Sequence, residues 1–236
     1  MNAIASGTRF ARAHGDLLQR LQGGHFAGCE LTLADSGEIT ASYRGKTLAS
    51  AFRPVVARAD GLEAGRQASL RVRDASGAEG SPGSFFAAAL DGAQLVQRDR
   101  LARTVHALNH FVAAQSQARL FLHVEQRLLA TVRADHGAWF ERVLREIGVG
   151  PERVGIVLPP TALEDPVTLV RAAISYRIRG YRVAARLRAA STADLAHVFL
   201  ADPHYVVLDA DTPGDCASRL VETLARRGIG VIGAPP

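Results

Sequence analysis

From about residue 50 onward the sequence alternates short apolar runs with helix-length stretches, and this rhythm excludes most architectures. The strand candidates are "SAFRPVVAR", "RQASLRVRD", "ARLFLHV", "RVGIVLP", "YRVAARL", "HYVVLDA" and "IGVIGA". Between them lie helical stretches: "FFAAALDGA", Arg98 to about Gln117, "EQRLLATV", "AWFERVLREIG", "PVTLVRAAISYRIRG", "TADLAHVFLA" and "CASRLVETLARRG". Apolar strands joined by helices of roughly a dozen residues are βαβ units, which build parallel sheets. Right-handed crossovers then leave an open doubly wound sheet or a closed (β/α) barrel. Periodicity does not separate the two.

The first 49 residues have a different rhythm. Phe10, Leu17, Leu18 and Leu21 predict an amphipathic helix over 9–22, stopped by Gly23-Gly24. "CELTLADSGEITASYRG" then reads as a hairpin around Asp35-Ser36-Gly37. Within "EAGRQASLRV", period-two alternation puts Gln67, Ser69 and Arg71 on one face and Ala68, Leu70 and Val72 on the other.

Composition narrows the function classes. The 236 residues are 47% hydrophobic, enough for a substantial core, and carry a net charge of +5. Lys46 is the only lysine, the arginines are dispersed, and 6% of residues are aromatic. A basic stripe with stacking platforms is missing, which argues against nucleic-acid binding. Cys29 and Cys216 stand apart with no metal-ligand spacing, as suits a reducing compartment. No apolar run approaches a membrane span, so the expected location is cytoplasmic, without membrane contact.

Three local patterns invite chemistry and are better read as structure. His106 and His110 have the spacing of a zinc helix, but Ala107 stands where the glutamate of such a motif belongs, so a surface or packing role is expected. Gly228, Gly230 and Gly233 match a phosphate-binding glycine pattern formally, without the helix start that the chemistry needs. Glu141 and Glu146 share a helix face poorly, whereas Glu141 and Arg145 are spaced for an exposed ion pair on a solvated helix.

The order of motifs resembles the EAL domain family, the bacterial cyclic di-GMP phosphodiesterases and their relatives. "FRPVVARADG" is similar to the family's "QPIV…G" opening, and "RQASLRV" sits where "EALLRW" stands. "GSPGSFFAAALDGAQLVQRDR", "LFLHVEQRLL", "VGIVLPPTAL", "RGYRVAARL", "HYVVLDAD" and "RRGIGVIGA" follow in the places of "SPxxFIxxAE", "LSVNLSxxxL", "LxLEITESAL", "xGxxxALDDFG", "DxVKID" and "xxGxxVIAEGVE". The case rests on the order of the eight segments, which span about 50–234.

This resemblance implies an α/β fold, a TIM-like (β/α) barrel of the EAL type. It also implies a site at the C-terminal strand ends where carboxylates and an asparagine hold two divalent cations. Carried over position by position, the metal-binding glutamate of "EAL" becomes Gln67 and the asparagine becomes His123. The acids of "LEIT" and "TES" become Val157 and Pro160, and the paired aspartates become Arg186 and Leu187. The lysine of "VKID" becomes Val207, the glutamate of "EGVE" becomes Ala234, and the glutamine of "QPIV" becomes Arg53. Asp209 and Arg71 keep the family's polar residue type. Hard divalent cations want oxygen ligands, and a cation pair that activates water needs several.

The expectation is therefore an N-terminal helix and hairpin over 1–49 and a degenerate EAL-like barrel over 50–236. No catalytic residues, bound metal or cofactor are expected. Arg53, Gln67, Arg71, His123, Arg186 and Asp209 are the candidate ligand-binding residues at the mouth. The function expected is that of an inactive regulatory module working through another protein, or a homodimer. A metal-independent cyclic di-GMP receptor and an active phosphodiesterase are the alternatives. A seventh strand candidate is the last, whereas an EAL barrel continues through a further strand and helix. The barrel is then expected to be open, or completed by the N-terminal segment or a second subunit.

Overall fold

In this computed structural model, residues 2–26, 28–131, 137–187, 192–209 and 212–234 are described. The chain divides into two compact units. The first comprises Met1–Ala51, Ser69–Ser116 and Arg142–Val149; the second comprises Phe52–Ala68, Gln117–Glu141 and Gly150–Pro236. The first unit thus takes in more than the N-terminal segment.

The first unit begins with helix α1 (Asn2–His25), then strands β1 (Cys29–Leu33) and β2 (Ile39–Tyr43), joined as the expected hairpin with Cys29 opposite Tyr43. The glycines at 23 and 24 do not end α1. Leu18, Leu21 and Phe26 are buried along and just beyond it, and that packing outweighs a glycine cost of about 1 kcal/mol per residue. Strand β2 pairs antiparallel with the start of β3 (Lys46–Ala57). The second half of β4 (Glu63–Asp74) belongs to the same unit and pairs with the two-residue β5 (Glu79–Gly80).

Helix α2 (Pro82–Ala87) is capped by Ser81, and α3 (Gly92–Ala107) by Asp91, whose carboxylate accepts from the Gln94 amide at 2.7 Å. The Asp91 cap is why "FFAAALDGA" breaks instead of forming one helix. After α3 the backbone widens into a π-helical turn, Leu108–Ala113. Asn109 on that turn accepts from the Ile39 amide at 2.8 Å and donates to the Ile39 carbonyl at 2.6 Å. One side chain thereby satisfies both main-chain groups of a buried residue that starts a strand. His106 and His110 are both buried, His106 with Nδ1 2.8 Å from the Ser50 hydroxyl. They take the packing role.

The second unit is a closed barrel. Its strands are the later half of β3, the earlier half of β4, β6 (Leu120–His123), β7 (Val154–Leu158), β8 (Arg182–Arg186), β9 (Tyr205–Leu208) and β10 (Gly230–Gly233). Strands β4, β6, β7, β8, β9 and β10 pair in parallel, in that order. Helices α4 (Gln126–Thr131), α6 (Pro166–Arg177), α7 (Thr192–Ala201) and α8 (Gly214–Ala225) supply connections, with α5 (Ala138–Glu146) divided between the units.

The open-barrel expectation is corrected here. Strand β10 pairs antiparallel with β3, Ile232 opposite Ala57 and Gly233 opposite Val56, while β3 also pairs with β4. An antiparallel partner needs no crossover helix, so seven strands close the ring without an eighth βα unit. Neither the N-terminal segment nor a second subunit is required for closure.

Phe121 plugs the barrel interior. A Cβ on Gly155 would fall 2.4 Å from its ring, so the neighbouring strand must carry glycine there. Phe121 meets Tyr205 edge to face at 5.8 Å. Glu141 is 24% exposed and is bonded by Arg179 at 2.7 Å, so the surface expected around it is partly buried.

Candidate functional site

Parallel strands place their last residues and the loops that follow at one end of a barrel, the usual place for its chemistry. His123 ends β6, Arg186 ends β8, and Asp209 follows β9 directly. Strand β3 runs the opposite way, so Arg53, three residues before the one that pairs with Gly233, reaches the same end. Gln67 on β4 is registered with Phe121 on β6. The structure therefore brings Arg53, His123, Arg186 and Asp209 to one end of the barrel, whereas Gln67 stands at the level of Phe121, two residues below His123, all within the second unit.

Arg71 is not among them. It belongs to the first unit, where a guanidinium nitrogen donates to both carboxylate oxygens of Glu38, at 2.7 and 2.9 Å. Nothing in the strand alternation distinguishes Arg71 from Gln67. The partner is a turn residue more than thirty positions earlier, and only the fold reveals it.

At the mouth, Arg186 donates from Nε to Asp209 at 2.9 Å and from a second nitrogen to the same oxygen. That carboxylate is thus already engaged. His123 is pushed down to about 4, first by burial and then by the nearby positive charges of Arg186 and Arg53. It is neutral at pH 7, and its Nε2 is buried with no hydrogen-bond partner among the described residues. Arg53 is exposed. The mouth thus combines an internally neutralised ion pair, an exposed guanidinium and an unsatisfied imidazole nitrogen.

Immediately inside, the character changes. Val55, Phe121, Val157, Ala184, Val207 and Ile232 form one buried apolar cluster, with Ala64 and Tyr205 packed against it. Val157 and Val207 contribute to it from β7 and β9, and Pro160 and the buried Leu187 follow on the loops. The sequence reading did not single out Val55, Ala184 and Ile232, although their period-two positions on apolar strands carried the signal. It also passed over Arg58, whose buried Nε lacks a partner among the described residues and lies 2.9 Å from where a Cβ on Gly233 would stand.

Comparison with solved structures agrees with this architecture. The chain is similar to BlrP1 of Klebsiella pneumoniae in its manganese and cyclic di-GMP complex, with a TM-score of 0.62 and 18% identity, covering 92% of this chain and 58% of that one. It is similar to the Bacillus subtilis YkuI protein, an EAL-domain protein solved with cyclic di-GMP and calcium (TM-score 0.60, 20% identity, 78% of this chain and 48% of that one). The EAL domain of FimX from Pseudomonas aeruginosa, bound to cyclic di-GMP, gives a TM-score of 0.56 at 16% identity, over 79% of this chain and 88% of that one. This chain therefore spans about half the length of BlrP1 and YkuI. No protein-family model and no curated protein matches the sequence. The fold is that of an EAL-type barrel. Among the described residues no helix is long and apolar enough to cross a membrane.

Proposed function

We propose that this protein is a catalytically inactive EAL-type module that regulates bacterial signalling through contact with another protein. The observation that carries the proposal is the buried apolar cluster around Val157 and Val207. The family resemblance puts a metal-binding glutamate and a lysine at those two places. The donor set does not fit a pair of divalent cations, since Asp209 is the one carboxylate among the matched positions and Arg186 already holds it. Hard cations need several oxygen ligands, and valine offers none. Among the described residues no cluster of three metal-ligating side chains stands elsewhere.

The test is hydrolysis of cyclic di-GMP by purified protein with Mg²⁺ or Mn²⁺. No turnover is expected. Turnover that disappears on Asp209→Ala overturns the proposal.

One observation favours a second reading, a metal-independent cyclic di-GMP receptor. The orphaned His123 Nε2 beside Arg53 is a polar, cationic mouth with unmet hydrogen-bonding capacity. BlrP1 has been solved with cyclic di-GMP and no metal ions. Calorimetric titration of cyclic di-GMP with and without Mg²⁺ separates the readings. Equal, metal-independent heat that is lost in Arg53→Ala supports the receptor; no heat in either condition supports the protein-contact module.

A further inference from the structure

The first unit contains an open cavity where α1, the π-helical turn after α3 and the end of α5 meet. It holds about 370 Å³, the size of a small-molecule site and far more than one water needs. The sequence explains how it is lined. His14, Leu17 and Arg20 recur every three residues and so share one side of α1. The π turn gives Asn109 and His110 to the interior, which leaves Phe111 and Val112 to face the cavity. Beyond the turn, Gln115 takes a φ of 48°, a left-handed conformation uncommon for a residue other than glycine.

Polar and apolar groups divide this lining between them. Leu17, Phe111, Val112 and Ile147 are half-buried and supply apolar walls from all three elements. Arg20, Gln115 and Glu146 are exposed and stand at the rim. Glu146 is already engaged, with His25 Nε2 2.8 Å from its carboxylate. The side chains of Arg20 and Gln115 make no hydrogen bond or ion pair among the described residues. The cavity thus offers one uncompensated guanidinium and one free amide beside an apolar wall. A guanidinium presents a fork of donors that matches a carboxylate, and the amide adds another donor.

We infer that this cavity binds a small monocarboxylate with an apolar tail, its carboxylate on Arg20 and Gln115 and its tail against the apolar walls. Charge selects one negative group over two. One guanidinium answers one carboxylate, and the Glu146 carboxylate in the same lining repels a second negative charge. The walls select against a bare anion, because an exposed ion pair alone contributes little and burial of the tail supplies most of the affinity. The site lies wholly in the first unit, so it goes beyond the proposed function and does not depend on the barrel mouth.

Calorimetric titration of the full chain with octanoate tests the inference. Acetate keeps the charge without the tail, and octylammonium keeps the tail with the opposite charge. Octanoate is expected to bind saturably, half-occupied at about 1 mM or below, the affinity open to a ligand of about ten heavy atoms. Acetate and octylammonium are each expected to bind at least about tenfold more weakly. Arg20→Gln is expected to weaken octanoate at least about tenfold, and Val112→Trp, which fills the cavity, to abolish its binding. Circular dichroism identifies a variant that fails to fold, and Arg20→Gln, on the exposed rim, carries the test if Val112→Trp does. Arg53→Ala, at the barrel mouth, is expected to leave octanoate binding unchanged. No saturable binding up to about 20 mM overturns the inference. So does binding that ignores both Arg20→Gln and Val112→Trp, octylammonium bound as tightly as octanoate, or binding lost in Arg53→Ala.

Discussion

Two histidines in this protein carry the same perturbation from the same causes, burial and neighbouring arginines, and differ in what their nitrogens meet. His106, in the first unit, is pushed down to about 3 by burial and by Arg103, yet its Nδ1 meets Ser50 within a network that continues through Asn109 to Ile39. His123, at the barrel mouth, is pushed down to about 4 by burial with Arg186 and Arg53, and its Nε2 has no partner among the described residues. A depressed imidazole does not by itself mark a site. What distinguishes the two is hydrogen-bond satisfaction. The network around His106 holds a π-helical turn against a strand, whereas the mouth has capacity that a ligand can use.

The largest effect expected from breaking this contrast lies on the structural side. Asn109→Ala strips partners from both main-chain groups of Ile39 and is expected to cost about 3 kcal/mol in urea unfolding. A loss below about 1 kcal/mol would mean that water replaces the amide.

Acid comes next. Both histidines have folded values below the 6.5 of the free side chain, so the unfolded chain binds more protons between those values. Stability is therefore fully present above about pH 6.5 and falls as pH drops through 6.5 toward 4 and then 3. Each histidine contributes up to about 1.4 kcal/mol per pH unit over its window. Urea midpoints measured from pH 7.5 to 4.5 check the slope. His123→Leu should remove part of it.

At pH 7 the same His123→Leu variant sharpens the comparison. Removing an unsatisfied nitrogen should leave stability within about 1 kcal/mol of the parent, or raise it, whereas His106→Leu takes from the Ser50 hydroxyl its shorter hydrogen bond and should destabilise. Equal losses in thermal unfolding would put the two histidines in one class. The smallest effect is expected at Arg53→Ala, within about 0.5 kcal/mol because the side chain is exposed. A larger loss would show that the mouth depends on Arg53 for its own stability.

The strands and helices were largely legible, because their signal is local. Apolar runs mark β6 through β10 within a residue or two, whereas the cap at Asp91 lies inside a stretch expected to be one helix. The departures are equally physical. Glycines at 23 and 24 did not stop α1, because buried neighbours outweigh propensity. The predicted helix over 98–117 instead starts at Gly92 as α3 and passes into a π turn at Leu108, where Asn109 answers to Ile39, seventy residues away. Of the six candidate residues, Arg53, His123, Arg186 and Asp209 lie together, Gln67 stands deeper beside Phe121 and Arg71 belongs to the first unit, since alternation gives a residue its face but not its partner.

By itself the sequence determined the βαβ rhythm and the residue types at the strand ends, including Val157 where the family resemblance puts a metal-binding glutamate. Both are properties of single positions and short windows. The tertiary structure alone decided that seven strands suffice, because β10 turns to an antiparallel partner on β3. It alone decided that Asp209 is held by Arg186 and Arg71 by Glu38. Closure and charge pairing depend on which distant groups meet, and periodicity has no term for distance through space.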